Sequence, residues 1–238
     1  MAQIETQPKK VRDSNLELFR IVTMLIIVAH HYVVNSGYLE LIKEFGATSS
    51  NSLFLLLFGW GGKTGINCFV LITGYFMVKS QITLNKFLKL FLEIEFYSII
   101  IATIFFITKY NNYTIQFLIK DILPISSITN GFTSCYLLFF LFIPFLNILL
   151  NKTSERQHRY LIALCVLMFT ILPLIHIKLS FNYVEWFIVL YIIAAYLRLH
   201  PIKKFQSNKF CGLALLISLA RQYRDPLSSL PDRFLQYQ

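Results

Sequence analysis

Residues 21–39 read IVTMLIIVAHHYVVNSGYL, a run without Lys, Arg, Asp or Glu. At 1.5 Å per residue an α-helix crosses roughly 30 Å of hydrocarbon in about 20 apolar residues, so this stretch, extended back to Asn15, reads as a membrane span. Asp13, Ser14 or Asn15 stands where a helix cap belongs. The same signature recurs down the chain. Thr64 to Val78, Leu88 to Thr108, Gly131 to Leu150, Tyr160 to Ile177 and Tyr183 to Leu199 read as further spans, and Phe210 to Ala220 begins one that stays short. Ser52 to Trp60 is apolar as well, but Gly59, Gly61, Gly62 and Gly65 lie in or beside it. Glycine weakens a continuous helix, so Ser52 to Gly62 reads as an outer re-entrant or loop segment feeding the second span.

Composition agrees. With 238 residues, 56% of them hydrophobic, and a mean hydropathy of +0.60, the chain has more apolar surface than one soluble core hides. The 23 Phe and 13 Tyr exclude intrinsic disorder. Cys68, Cys135, Cys165 and Cys211 are widely spaced and form no CxxC pair, which points to neither a disulfide framework nor a metal site. A net charge of +10 raises the question of nucleic acid, but Lys and Arg punctuate apolar runs instead of lining a solvated face, so no nucleic-acid partner is expected. The expected fold is all-α, a polytopic transmembrane bundle of about six spans with an incomplete seventh. Residues 1–13 form an N-terminal segment, 14–220 the transmembrane domain and 221–238 a polar tail interrupted by Pro226 and Pro231. No internal repeat is visible. With the N-terminus cytoplasmic, thirteen Lys/Arg fall in inner segments (Lys79 to Lys89, Lys152 to Arg159 and His200 to Lys209 among them) against five in outer ones, which favours that orientation. The long first apolar run, with no small-residue cleavage site after it, argues against a cleaved signal peptide.

In hydrocarbon the informative residues are those that cost free energy to bury, and the first span holds Arg20, His30 and His31. Eleven helical steps separate Arg20 from His31, which leaves them within about 20° of one face, while His30 points about 80° away. That polar face is expected to turn toward the bundle. A neutral imidazole accepts a proton from an attacking hydroxyl near neutral pH, a role assigned to His31 before His30. The plainer reading is two histidines hydrated near the outer interface beside an anchoring Tyr32.

Ser14 to Tyr32, SNLELFRIVTMLIIVAHHY, followed by Gly65 to Phe76, GINCFVLITGYF, resembles the acyltransferase-3 family of bacterial integral-membrane proteins. Members carry an Arg and a His separated by ten residues on the first span, matched by Arg20 and His31, and a Gly-x-Asp/Asn-x-Phe…Ser-Gly-Tyr/Phe segment on the second. Gly65, Asn67, Phe69, Gly74 and Tyr75 match that segment, with Thr73 where Ser is usual. Tyr136 to Asn147 and Trp186 to Pro201 resemble the branch that modifies surface polysaccharides, and the likeness extends over roughly residues 14–205. It implies an O-acyltransferase of the bacterial inner membrane that binds no resident cofactor and uses acetyl-CoA or another acyl-CoA as donor. The implied acceptor is a hydroxyl of a glycan or lipid-linked saccharide, and the implied partners are the lipid bilayer and surface-polysaccharide assembly proteins. His31 and Arg20 are the implied catalytic residues, and Asn67, Tyr75 and Tyr136 the implied substrate path. Acyl-CoA carries phosphate charges that cannot cross hydrocarbon, so the thioester is presented from the inner face and the sugar from the outer one. Lys86 and Lys89 occupy the place of the family's Arg-x-x-Arg pair and are the implied CoA-phosphate residues, although ammonium groups make no bidentate phosphate contacts. Ordinary positive-inside charge explains the same two lysines. Glu93 and Glu95, in the third span, read as interfacial carboxylates.

Two departures stand out. Gly131 occupies the position where relatives carry a Trp five residues before Tyr136, and relatives have about ten spans. The expectation from the short seventh run and the polar tail is a prematurely ended reading frame with impaired activity. A non-catalytic membrane protein and a small-solute transporter with intramembrane His and Glu as proton relays are the alternative readings.

Overall fold

The computed structural model describes residues 14–38, 49–109, 114–122, 131–175 and 182–201. These form helices α1 (Ser14–Asn35), α2 (Ser50–Gly59), α3 (Gly62–Met77), α4 (Leu84–Thr108), α5 (Ile115–Ile122), α6 (Phe132–Lys152), α7 (Glu155–Val166) and α8 (Tyr183–Leu199), with no strand among the described residues. α7 continues through a π-helical turn, Leu167–Ile171, into the short turn Leu172–Leu174. Five stretches are long and apolar enough to cross a bilayer: Ser14–Asn35, Ser50–Met77, Leu84–Thr108, Phe132–Lys152 and Glu155–Leu174. α8, at 17 residues, spans about 25 Å and covers the sixth expected segment. The chain is a polytopic helical membrane bundle. The short run Phe210 to Ala220 and the tail lie outside the described residues.

The glycine-rich segment departs from expectation. Ser50–Gly59 is helix, and only Trp60 and Gly61 form a turn before α3: Trp60 keeps right-handed helical angles (φ −62°, ψ −33°), and the Gly65 N–H donates to the Gly61 carbonyl at 2.7 Å. α2 and α3 therefore follow one another as a 28-residue apolar stretch. The glycines serve close approach. A Cβ at Gly59 would lie 2.8 Å from Val33 Cβ, one at Gly65 would lie 2.7 Å from Ile27 Cγ1, and those at Gly61 and Gly62 would overlap Ile26 and the His30 ring. Small residues let helix backbones approach within hydrocarbon, where lipid competes equally for apolar contact. Gly65→Val is expected to cost about 1–3 kcal/mol through overpacking. Thermal melting in mild detergent and abundance in membranes measure it, and a melting point equal to wild type would contradict this account.

The described chain divides into two compact units, one ending at Ile72 and the other beginning at Thr73. In the first, α1 packs on α2, burying Thr23, His30 and Val33. In the second, α8 packs on α6 and α7, and α4 touches α5 and α6. Its core is aromatic: Phe139, Phe187 and Tyr191 are fully buried. Phe187 meets Phe132 and Phe139 edge-on with centroids 5.6 and 5.9 Å apart, and Phe139 meets Tyr191 at 5.7 Å. Edge-to-face pairs of this kind contribute about 0.5–1.5 kcal/mol beyond area burial.

Polar side chains close the helix ends. Asn147 on α6 donates through Nδ2 to the carbonyls of Met77 (2.9 Å) and Ser80 (3.2 Å), and its Oδ1 accepts from the Tyr191 hydroxyl. Asn151 donates to the Val78 carbonyl at 3.4 Å. The last carbonyls of a helix have no intrahelical donor, so these amides satisfy the end of α3. Ser154 and Gln157 form a capping box at the start of α7, as do Asn182 and Glu185 at α8. The two-residue link between α6 and α7, the Asn147 contacts, and a hydrogen bond from the Tyr196 hydroxyl to Glu155 Oε1 (3.3 Å) bring three segments to one end of the second unit. They are the three expected on the cytoplasmic side: the end of α3, the α6–α7 turn and the end of α8.

Candidate functional site

In the first unit the two adjacent histidines part company. His30 is 5% exposed, and its Nδ1 lies 2.6 Å from the Gly59 carbonyl. A carbonyl only accepts, so Nδ1 carries the proton and donates. His31 is exposed, its ring meeting that of His30 edge-on at 5.8 Å. Arg20 is exposed as well, about 16 Å along the axis from His31. The packed face of α1 is that of Thr23, Ile27 and His30, because the glycines of α2 and α3 receive it. Within this unit the Arg20–His31 face flanks the surface packed on α2 and α3. Asn67, on α3, is half-buried.

In the second unit Tyr136 is half-buried, and its hydroxyl is 3.3 Å from Thr73 Oγ1, which joins the expected substrate-path tyrosine to the threonine in the serine position. Tyr75 meets Arg198: the guanidinium carbon lies 4.6 Å from the ring centroid, and Nη1 donates to the Tyr75 hydroxyl at 2.8 Å. Close packing positions this pair, since a Cβ at Gly74 would lie 2.8 Å from Ala194 Cβ, one turn before Arg198. Lys86 is exposed and donates to Ser80 Oγ (3.1 Å) and the Gln81 carbonyl (2.6 Å), holding the turn that enters α4. Lys89 is exposed one turn later. Glu93 is exposed, whereas Glu95 is half-buried with Oε1 shielded and unpartnered among the described residues.

Sequence reasoning missed three side chains here. His158 is fully buried, with Nε2 donating to the Ile192 carbonyl (3.0 Å) and its ring 5.2 Å from that of Tyr196 and 6.0 Å from that of His200. His158 lies among the charges of the α6–α7 turn, a context that conceals burial. Arg198 was counted as positive-inside charge, and Asn147 closed a run read for its resemblance to the family, with no role of its own. For both, a polar residue on a helix otherwise facing protein was the available signal.

The first unit thus carries an open imidazole beside a committed one on α1; the second, by itself, carries a tyrosine–threonine pair and a stacked guanidinium. A family model described as an acyltransferase domain matches residues 13–220. No curated protein and no solved structure matches the chain significantly. The match covers most of the chain, including the Arg20–His31 pair and the Gly65 to Phe76 segment, and with the membrane-spanning helices it places the chain in the acyltransferase-3 family as a multi-pass membrane acyltransferase.

Proposed function

We propose that the chain transfers an acyl group, acetyl foremost, from cytoplasmic acyl-CoA to a hydroxyl of an exported or lipid-linked polysaccharide at a bacterial inner membrane. The observation carrying this reading is the Arg20–His31 pair on α1 of a family member, with the His31 imidazole open while His30 is tied to Gly59. In the proposed reaction His31 takes the proton of the acceptor hydroxyl as its oxygen bonds to the thioester carbonyl carbon. The carbon–sulfur bond then breaks, and the departing thiolate takes the proton from the imidazolium, leaving an ester and free CoA. Arg20 serves the donor end or a polar network along that face, and Asn67, Tyr75 and Tyr136 line the path. Lys86 and Lys89 attract the donor's phosphates. Partner proteins of surface-polysaccharide assembly would supply the acceptor.

Membranes containing the chain, given acetyl-CoA labelled in the acetyl group and isolated envelope polysaccharide, are expected to place base-labile label on the glycan. Replacing Lys86 and Lys89 together by Glu is expected to raise the KM for acetyl-CoA severalfold with little change in that for the acceptor, and to reduce the salt sensitivity of the donor KM. Unlabelled glycan with unconsumed acetyl-CoA would overturn the reaction, and an unchanged donor KM would return both lysines to topogenic charge.

A further inference from the structure

Near its C-terminal end α6 borders a cleft of about 580 Å³. Phe145, Ile148, Leu149 and Lys152 of α6 line it, with Thr153 of the following turn and Gln157 of α7. The cleft lies wholly within the second unit. The four α6 residues follow the i, i+3, i+4, i+7 pattern and so share one helix face. Lys152 stands about 20° from the line of Phe145 and about 10 Å farther along the axis. Phe145, Ile148 and Leu149 are exposed. One wall therefore passes from apolar side chains to a cation at the helix end, within the roughly 15 Å of hydrocarbon that one leaflet contributes.

The polar rim of the cleft offers donors and no acid. Lys152 is exposed, and its ammonium makes no hydrogen bond or ion pair among the described residues. The amide of Gln157 has a fixed orientation, because Oε1 accepts from the Ser154 N–H (3.0 Å) and from the Ser154 hydroxyl (2.9 Å). A backbone N–H only donates, so the amide oxygen faces Ser154 and the Nε2 donors are without a partner among the described residues. The Thr153 hydroxyl is spent on the Leu149 carbonyl at 2.7 Å. Glu155 stands two helical steps from Gln157, about 160° around α7, where it engages Tyr196. An ammonium and an amide nitrogen above an apolar wall suit a ligand that joins anionic oxygens to a hydrocarbon chain.

We propose that this cleft binds one anionic phospholipid of the adjoining leaflet. Its phosphate meets Lys152 and Gln157, and the upper part of an acyl chain lies along Phe145, Ile148 and Leu149. Charge decides the occupant. The stretch after α8 carries Lys203, Lys204 and Lys209, and laying it over Lys152 would set like charges together. A second copy meeting the chain through this face about a two-fold axis brings the same cation to the same edge. A zwitterionic lipid covers the apolar wall equally well but gains less from the ammonium, since its own cation accompanies the phosphate. The bound lipid joins the end of α6 to the start of α7 and braces the turn that carries the Glu155–Tyr196 contact. The inference stands apart from acyl transfer and does not depend on it.

The test uses the full chain in nanodiscs of phosphatidylcholine and phosphatidylglycerol in equal parts. Either lipid carries a photoreactive group high on one acyl chain, and peptide mass spectrometry maps the cross-links. Wild-type protein is expected to capture phosphatidylglycerol within residues 145–157 about fivefold more than phosphatidylcholine, the preference one Lys confers at an anionic surface. Lys152→Gln is expected to bring the two lipids to parity there. Leu149→Trp, which fills the cleft and keeps the charge, is expected to reduce capture of both lipids severalfold, and Ile148→Trp serves the same purpose should the first variant fail to insert. All three side chains are exposed, so the variants are expected to melt in phosphatidylcholine nanodiscs as wild type does. Parity of the two lipids on wild type, or an undiminished preference in Lys152→Gln, overturns the inference. Full capture by the tryptophan variants does so too, because it reduces Lys152 to a side chain reaching the interface without a site. Cross-links from residues 145–157 to residues 203–220 or to a second copy, in place of lipid, would assign the cleft to protein and overturn the proposal. Inorganic phosphate is expected not to compete, and loss of labelling in its presence would give the rim to a soluble anion instead.

Discussion

His31→Ala is expected to lower acyl transfer per membrane-inserted molecule by about 10²- to 10⁴-fold, the range for loss of a general base. His30→Ala is expected to leave turnover per molecule close to normal while lowering the amount of inserted protein. The difference comes from geometry within one turn of α1. His30 is 5% exposed and donates to the Gly59 carbonyl, with the position of Gly62 against its ring. Removing it opens a cavity at the α1–α2 contact and strips a buried carbonyl of its donor. His31 makes no such commitment and is exposed. Measuring transfer and protein abundance in the same membranes separates the two effects, and added imidazole is expected to restore part of the activity of the His31 variant alone. A His31→Ala protein with near-normal turnover, or a His30→Ala protein that is abundant but inert, would reverse the assignment.

The second large effect concerns stability. Asn147→Leu preserves approximate volume but removes both donors to Met77 and Ser80 and the acceptor for the Tyr191 hydroxyl. Tyr191 is fully buried, so its hydroxyl has no ready solvent substitute. The expected loss is about 2–4 kcal/mol, from unsatisfied groups at about 1–3 kcal/mol each, reduced by the modest net worth of hydrogen bonds between membrane helices. Tyr191→Phe removes one of these partners without stranding the carbonyls and is expected to cost less. Melting in mild detergent ranks the two, and equal melting points for wild type and Asn147→Leu would show that the α3 end is satisfied some other way.

How much of this was legible in the sequence depended on whether a residue's type alone decided its environment. Tyr183 to Leu199, read from its apolar run, coincides with α8, where Asn182 and Glu185 form the cap and Arg198 lies in the last turn. The span from about Leu88 to Thr108 lies within α4, which begins at Leu84, and Lys86 and Lys89 stand exposed at the start of that helix as their spacing implied. Ser52 to Gly62 was misread because glycine has two meanings in an apolar run, a weak helix or a close neighbour. Only the partner decides between them, and here the partner is α1, with Val33, Ile26 and Ile27 against Gly59, Gly61 and Gly65. For the candidate site, Arg20 and His31 were singled out by helical spacing, and Tyr75 and Tyr136 by resemblance. Arg198 was not, since its contact with Tyr75 joins residues 123 positions apart and no local pattern announces it.

The clamp on α3 also sets an order of events during synthesis. Met77 and Asn147 are separated by 70 positions. At about 5–20 residues per second, roughly 4–14 s pass between the making of the last turn of α3 and the making of the amide that closes it. Throughout that interval the Met77 carbonyl has the Ser80 N–H (2.9 Å), while the Val78 and Ser80 carbonyls lack the amides of α6 and depend on water at the membrane edge. The nascent chain is therefore expected to keep this end at the hydrated boundary until α6 emerges, and slower translation over residues 78–147 to lengthen that wait.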